Sequence, residues 1–252
     1  MRILAVADVH CPRYLTEFAA ALRGCRKPDI FLMAGDMVNR GMSAEFPRVL
    51  DTIEQQIGDD VPIVACFGNE EYIDTRTKLR ASTGDRVTFL DEQSTVLEIG
   101  KTTVGIVGTQ GSLDKPTLWQ KRNMPQPRII FERRAERAVS LLRELRGVVD
   151  RRILLMHYSP CLETCEGEES KTFSWLGSRK FYSAVRNEQP DLVIHGHVHN
   201  ATVHEARVGT TLVLNVAFPA TERVTSLDLW NTDTSSVDVE EEVEEVVYSE
   251  KV

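Results

Sequence analysis

The chain has 252 residues, of which 42% are hydrophobic and 27% charged, with a formal net charge of −8. That length is enough to bury a sizeable core in one large domain, the composition excludes a wholly disordered or collagen-like chain, and the acidic balance argues against wrapping bulk nucleic acid, which needs many Lys and Arg contacts to phosphate. The apolar start is interrupted at Asp8 with no basic n-region or cleavage site, no window approaches the roughly 20 apolar residues of a membrane span, and the five cysteines form no closely spaced framework, so the expected location is the cytoplasm.

Short apolar runs alternate with helical stretches, the pattern of an α/β protein with largely buried sheet. Residues 3–7 read as the first strand, and residues 16–25 as a helix with Phe18, Ala19, Leu22 and Cys25 on one face. A second strand is expected over 30–34, then a helix over 44–56 carrying Phe46, Val49, Leu50 and Ile53, with Ser43 as its N-cap. Strands follow at 63–67 and 103–107, separated by alternating segments at 87–90 and 95–99 that are assigned to antiparallel edges. A long charged amphipathic helix spans 129–146 and stops at Gly147. Strands at 153–156, 192–194 and 212–216, a helix at 182–187 and an antiparallel edge at 224–229 complete the set, so both sheets should be mixed. Two connections, 110–128 and 158–180, are longer than the usual loop and are expected to border a binding site. Domain organisation is read as one unit over 1–236 followed by an acidic edge strand or tail over 237–252.

Polar residues capable of chemistry stand where the apolar strands stop. The first strand runs into Asp8 and His10, the second into Gly35 and Asp36, the third into Gly68 and Asn69; His157 follows 153–156, and His195, His197 and His199 follow 192–194. In open α/β sheets ligands bind outside the carboxyl ends of the strands, so these residues should converge on one site. Imidazole, carboxylate and amide donors together suit Mn, Fe, Zn, Co or Ni, whereas an all-oxygen set would point to Mg or Ca. Two adjacent cations require a bridging carboxylate, and Asp36 is placed to supply it. Gly35, Gly68 and Gly196 beside these positions permit sharp turns and close backbone approach. Each fragment alone is commonplace; the ordered set D-x-H, G-D, G-N, His and G-H-x-H, each after an apolar strand, is not.

From Asp8 to His199 this set resembles the calcineurin-like metallophosphoesterase superfamily. The resemblance implies two mixed sheets packed as a sandwich and flanked by helices in four layers, with two divalent metal ions at the sandwich edge. It implies that Asp8, His10 and His199 hold one ion, that Asn69, His157 and His197 hold the other, and that Asp36 bridges them. The expected activity is phosphate ester hydrolysis, with diesters favoured, by attack of a metal-bridged hydroxide on phosphorus. Asp36 and Asn69 are the expected catalytic residues, together with Glu70. Glu70 stands where the family commonly has a His acting at the leaving group, and Asn39 stands where an acidic residue often follows the bridging Asp.

Other residues are assigned more modest parts. His195 faces the same side as His197 as a supporting donor or lies internally, and His204 is read as a surface residue. Trp119, Trp175 and Trp230 are read as core or lid packing, and Cys161 and Cys165 as small core residues rather than half of a zinc site. Arg122, Arg128, Lys171 and Arg179, in or beside the long loops, are candidate phosphate contacts. The expected partner is a small phosphate ester, with nucleic acid only as a small nucleotide, no membrane, and room for a homo-oligomer. The alternative reading is a scaffold that keeps the fold with little activity. A nuclease is the third, and it would call for a basic groove.

Overall fold

A computed structural model of the chain describes residues 1–228. Trp230, the last residue of the expected 224–229 strand and the acidic segment 237–252 lie outside the described residues. Strands β1 (Arg2–Val6), β2 (Ile30–Ala34), β3 (Ile63–Cys66), β4 (Thr88–Leu90), β5 (Gln93–Ile99), β6 (Thr102–Thr109), β7 (Arg151–Met156), β8 (Leu192–His195), β9 (Glu205–Val208), β10 (Thr211–Asn215) and β11 (Thr225–Asp228) form two sheets. Their orders are β11-β1-β2-β3-β4 and β5-β6-β7-β8-β10-β9.

Both sheets are mixed because parallel centres carry antiparallel edges: β11 runs against β1, β5 against β6, and β9 against β10. Strand β4 departs from expectation, since it lies at an edge but pairs parallel with β3, in the register Val64 to Thr88. The crossover that permits this is α3 (Ile73–Thr83), a helix absent from the sequence reading.

Strand alternation separates the layers. Ile3, Ala5, Ile30, Leu32, Val64, Ile106, Ile153, Leu155 and Ile194 point between the sheets and form the central core. Their neighbours Leu4, Val6, Phe31 and Met33 point outward onto Phe18 and Leu22 of α1 (Leu15–Leu22) and Val49, Leu50 and Ile53 of α2 (Phe46–Ile57). On the far side Val107, Leu154, Met156 and Val193 pack against Leu141, Leu142 and Leu145 of α5 (Pro127–Leu145) and Phe181 of α6 (Arg179–Glu188). The result is helix, sheet, sheet, helix, as expected. Because β1, β2, β3 and likewise β6, β7, β8 are parallel neighbours, the carboxyl ends within each sheet lie on one side.

Local boundaries differ where capping was misjudged. Ser43 opens a short 3-10 turn, Ser43–Glu45, and α2 proper begins at Phe46 with Pro47 in its first turn. The 110–128 connection contains α4 (Leu118–Asn123), started by a capping box in which Thr117 and Gln120 each bond the other's backbone N–H. The remaining short helix, α7 (Phe218–Thr221), leads into β11. No described helix is long and apolar enough to cross a membrane.

Candidate functional site

The residues at the strand ends meet. Asp8 is fully buried, with Oδ1 2.9 Å from His199 Nε2 and 3.7 Å from His10 Nε2, and the two imidazole nitrogens are 3.5 Å apart. Asp36 Oδ2 lies 3.4 Å from His157 Nε2, which in turn is 3.1 Å from Asn69 Oδ1. The His157 and His197 rings are 5.0 Å apart. Ligand atoms of Asp8, Asp36 and His157 lie within 4.8 Å of one another, and so do those of His10, Asp36 and Glu70. Asp36 therefore lies within reach of both Asp8 and His157 on one side and His10 and Glu70 on the other.

The chain turns abruptly at these residues. Asp8, His10, Asp36 and His197 have φ of 60°, 45°, 52° and 69°, in the left-handed region that Asp and His tolerate better than branched residues. The segments beyond β1 and β2 run together: Asp8 N–H donates to Gly35 O, His10 N–H to Asp36 O and Cys11 N–H to Met37 O. Gly68 is needed for proximity, since a Cβ there would lie 2.1 Å from Asp36 Oδ1; one at Gly196 would lie 2.4 Å from Asp8 Oδ2.

Hydrogen bonding fixes which ring nitrogens are free. His157 Nδ1 donates to Ala34 O at 2.9 Å and His197 Nε2 donates to Trp175 O at 3.1 Å. A carbonyl only accepts, so the nitrogens left for the cluster are His157 Nε2 and His197 Nδ1. His157 Nε2, Asn69 Oδ1 and Asp36 Oδ2 then converge as acceptors, an arrangement that requires a proton or a cation among them. Burial alone would lower the His157 pKa, but the Asp36 carboxylate, helped by Asp8, raises it to about 10. His197 goes the other way, lowered to about 4 by burial and the charge of His157. The carboxylates of Asp8 and Asp36 resist burial, which would raise them, and are held low by the histidines. The same negative potential that draws a proton to His157 suits a divalent cation. Nitrogen and oxygen donors of this kind fit a borderline transition metal.

Glu70 is half-buried and turned toward His10: its Oε2 accepts from His10 Nδ1 at 3.2 Å and from the Arg40 N–H at 2.7 Å. Burial would raise its pKa, yet these two donors bring it below its ordinary value. Glu71, which sequence reasoning passed over, is more deeply embedded. Its Oε2 accepts from the N–H of Asp36 (2.8 Å) and Gly68 (2.7 Å), and its Oε1 from the N–H of Val38 (3.2 Å), tying the turn after β2 to the turn after β3. Burial and the Asp36 charge push Glu71 up to about 7 against those N–H donors. Behind it the buried Arg76 donates to Glu71 O, to both Asp91 oxygens and to Gln110 Oε1, while Gln110 Nε2 donates to Gly68 O.

Both long connections border the cluster. The first supplies Gln110 and places Trp119 against Tyr72, ring centroids 6.0 Å apart. The second presents the Trp175 carbonyl to His197 and packs Cys165, Phe173 and Leu176 against Val198 and Ala201. Trp119 and Trp175 are 57% and 41% exposed, so neither is a core residue. Internal placement is the outcome for His195: it is fully buried, 2.8 Å from Thr164 Oγ1, with its pKa lowered to about 4 by burial. His204 is half-buried, and its Nδ1 has no hydrogen-bond partner among the described residues. Asn39 contributes its backbone N–H to Cys11 O. Of the loop cations, Lys171 pairs with Glu169 and Arg179 with Asp114, while Arg122 and Arg128 are exposed. Cys161 and Cys165 are buried and unbridged.

The family model for calcineurin-like phosphoesterases matches residues 1–201. Phosphodiesterase YaeI of Escherichia coli (strain K12) is 30% identical over 135 residues, covering 50% of this chain and 47% of that relative, so the match spans about half the relative's length. Among solved structures, phosphopantetheinyl hydrolase PptH from Mycobacterium tuberculosis superposes with a TM-score of 0.64 at 14% identity, over 86% of this chain and 89% of that one. TT1561 of Thermus thermophilus gives 0.54 at 15% identity, over 90% and 98%. At these identities the two structures bear on the fold alone.

Proposed function

Because the chain belongs to the calcineurin-like phosphoesterase family, we propose that it hydrolyses phosphodiesters at a dinuclear centre held by Asp8, His10, Asp36, Asn69, His157, His197 and His199. The observation that carries this reading is the convergence of nitrogen and oxygen acceptors around Asp36, with His157 and His197 turned inward by carbonyl partners. These residues would hold divalent cations, which would supply positive charge for the phosphoryl oxygens and acidity for the attacking water.

The chain's own residues set the geometry. Asp8, His10 and His199 form one half of the cluster, and Asn69, His157 and His197 the other, with Asp36 between them. Glu71 fixes the turns that carry Asp36 and Asn69, so the two halves keep their separation. Asn69 presents its amide oxygen 3.1 Å from His157 Nε2, where the amide would also orient a phosphoryl oxygen.

A preference for good leaving groups follows from Glu70, and diesters are the proposed class because the chain is similar to a phosphodiesterase. Its carboxylate is an acceptor for His10 and Arg40, and with its pKa lowered it carries no proton to give a leaving alkoxide. Leaving groups that depart without protonation are therefore favoured. The test is a panel of nitrophenyl diesters, nitrophenyl monoesters and alkyl monoesters assayed with Mn. Nitrophenyl diesters should be cleaved fastest and alkyl monoesters slowest; equal or faster turnover of alkyl monoesters would contradict the reading.

A further inference from the structure

Three histidines of the cluster are oriented through their outer ring nitrogens, and they do not use the same kind of partner. His157 and His197 donate to the backbone carbonyls of Ala34 and Trp175. His10 instead faces a side chain, Glu70, at 3.2 Å. A backbone carbonyl survives any substitution of its residue, whereas the partner of His10 is set by the residue type at position 70.

We propose that Glu70 is the positioning residue of His10: by accepting from Nδ1–H it keeps the Nε2 lone pair directed at Asp8 and His199, and so sets the affinity of that half of the cluster for a divalent cation. This assignment rests on the proposed dinuclear site and deepens it.

The carboxylate is well anchored for such a part. The Glu70 N–H donates to Asp36 Oδ1 at 2.7 Å, and its C=O accepts from Gly41 N–H at 2.8 Å, so the backbone is held on both sides. One carboxylate oxygen serves two donors, His10 Nδ1 and the Arg40 N–H, and Arg40 at φ 45° bends the chain so that this N–H faces it. A single residue thus joins the turns after β1, β2 and β3. His10 is 5% exposed, with Nε2 3.5 Å from His199 Nε2 and 3.7 Å from Asp8 Oδ1. Deprived of its acceptor, the ring is free to place the proton on Nε2, where it blocks the lone pair. Outer partners of ligand histidines typically contribute 10- to 100-fold in metal affinity.

Glu70 is also near enough to Asp36 and His10 to serve as a ligand itself, and substitutions separate the two roles. In Glu70→Gln the side-chain amide oxygen still accepts from His10, whereas a neutral amide is a far poorer cation ligand than a carboxylate. The experiment titrates the whole chain with Mn by calorimetry in the wild type, Glu70→Ala and Glu70→Gln. Glu70→Ala should weaken one of two sites about 10- to 100-fold and leave the other unchanged, while Glu70→Gln stays within about threefold of the wild type at both. Wild-type affinity in Glu70→Ala, or equal losses in the two variants, overturns the assignment.

A wild-type isotherm with fewer than two sites would instead contradict the dinuclear reading. In that event histidine ¹⁵N spectra of the ion-free chain decide the role of Glu70 independently. Recorded at a pH high enough to leave the ring neutral, they should place the His10 proton on Nδ1 in the wild type and Glu70→Gln, and show a tautomer mixture in Glu70→Ala. Identical ring signals in all three proteins overturn the proposal.

Discussion

His157 concentrates the electrostatics of the site in one ring. It is fully buried between Asp36 and a backbone carbonyl, and its pKa is raised to about 10 because the Asp36 carboxylate outweighs the cost of burial. Near pH 7.5 the ion-free ring therefore carries a proton on Nε2, and that proton must leave before the nitrogen can bind a cation. The sign follows: cation binding releases protons, and affinity rises with pH through the range below about 10. Calorimetry with Mn in buffers of different ionisation enthalpy should show proton release at pH 7.5 and tighter binding at pH 8.5 than at pH 6.5. Affinity independent of pH across that range would contradict this role for His157. At this scale the sequence was informative about donors and silent about what orients them. Asp8, Asp36 and His157 stood out because each ends an apolar run. The carbonyls of Ala34 and Trp175 carry no side-chain signal at all, and Glu71 was hidden beside Glu70, although its burial between the turns after β2 and β3 makes it the more embedded of the pair.

Helix α3 illustrates why some elements escaped notice. Its buried positions are Arg76, Leu79 and Thr83, a helical spacing in which Leu79 alone is apolar, so hydrophobic periodicity gave no signal. The buried guanidinium is compensated by Asp91, Gln110 and the carbonyl of Glu71, and through Glu71 it supports the turn that carries Asn69. Arg76→Met would leave those acceptors without a donor, and with Asp91 partly exposed the expected loss is about 2–4 kcal/mol. Urea unfolding measures it; a loss below about 0.5 kcal/mol, the size of an ordinary surface substitution, would show that the network contributes little. Helix α4 was legible in principle, since Thr117 and Gln120 are the two halves of a capping box, but its six residues fall below the length at which periodicity helps. The parallel pairing of β4 could not be read from its own residues. An edge strand of three residues alternates in the same way whichever direction its neighbour runs, and only the unseen crossover decides.

Across the whole molecule, the features legible in the sequence are the buried strands and the ordered polar residues at their ends. Alternation along β1 and β2 sends Ile3, Ala5, Ile30 and Leu32 between the sheets and Leu4, Val6, Phe31 and Met33 to the helices; the apolar runs themselves point to buried mixed sheets, whereas the two-sheet, four-layer sandwich is what the family resemblance implies. The same architecture gathers residues nearly two hundred positions apart, such as Asp8 and His199, at 2.9 Å. The central claim is that this gathering builds a centre for two cations that share Asp36. The measurement that tests it most directly is metal content per chain after saturation with Mn and removal of free ion, in the wild type and in Asp36→Asn. The account predicts two ions per wild-type chain and a joint loss from both sites in the variant; one ion or none in the wild type, with Asp36→Asn unchanged, would contradict it.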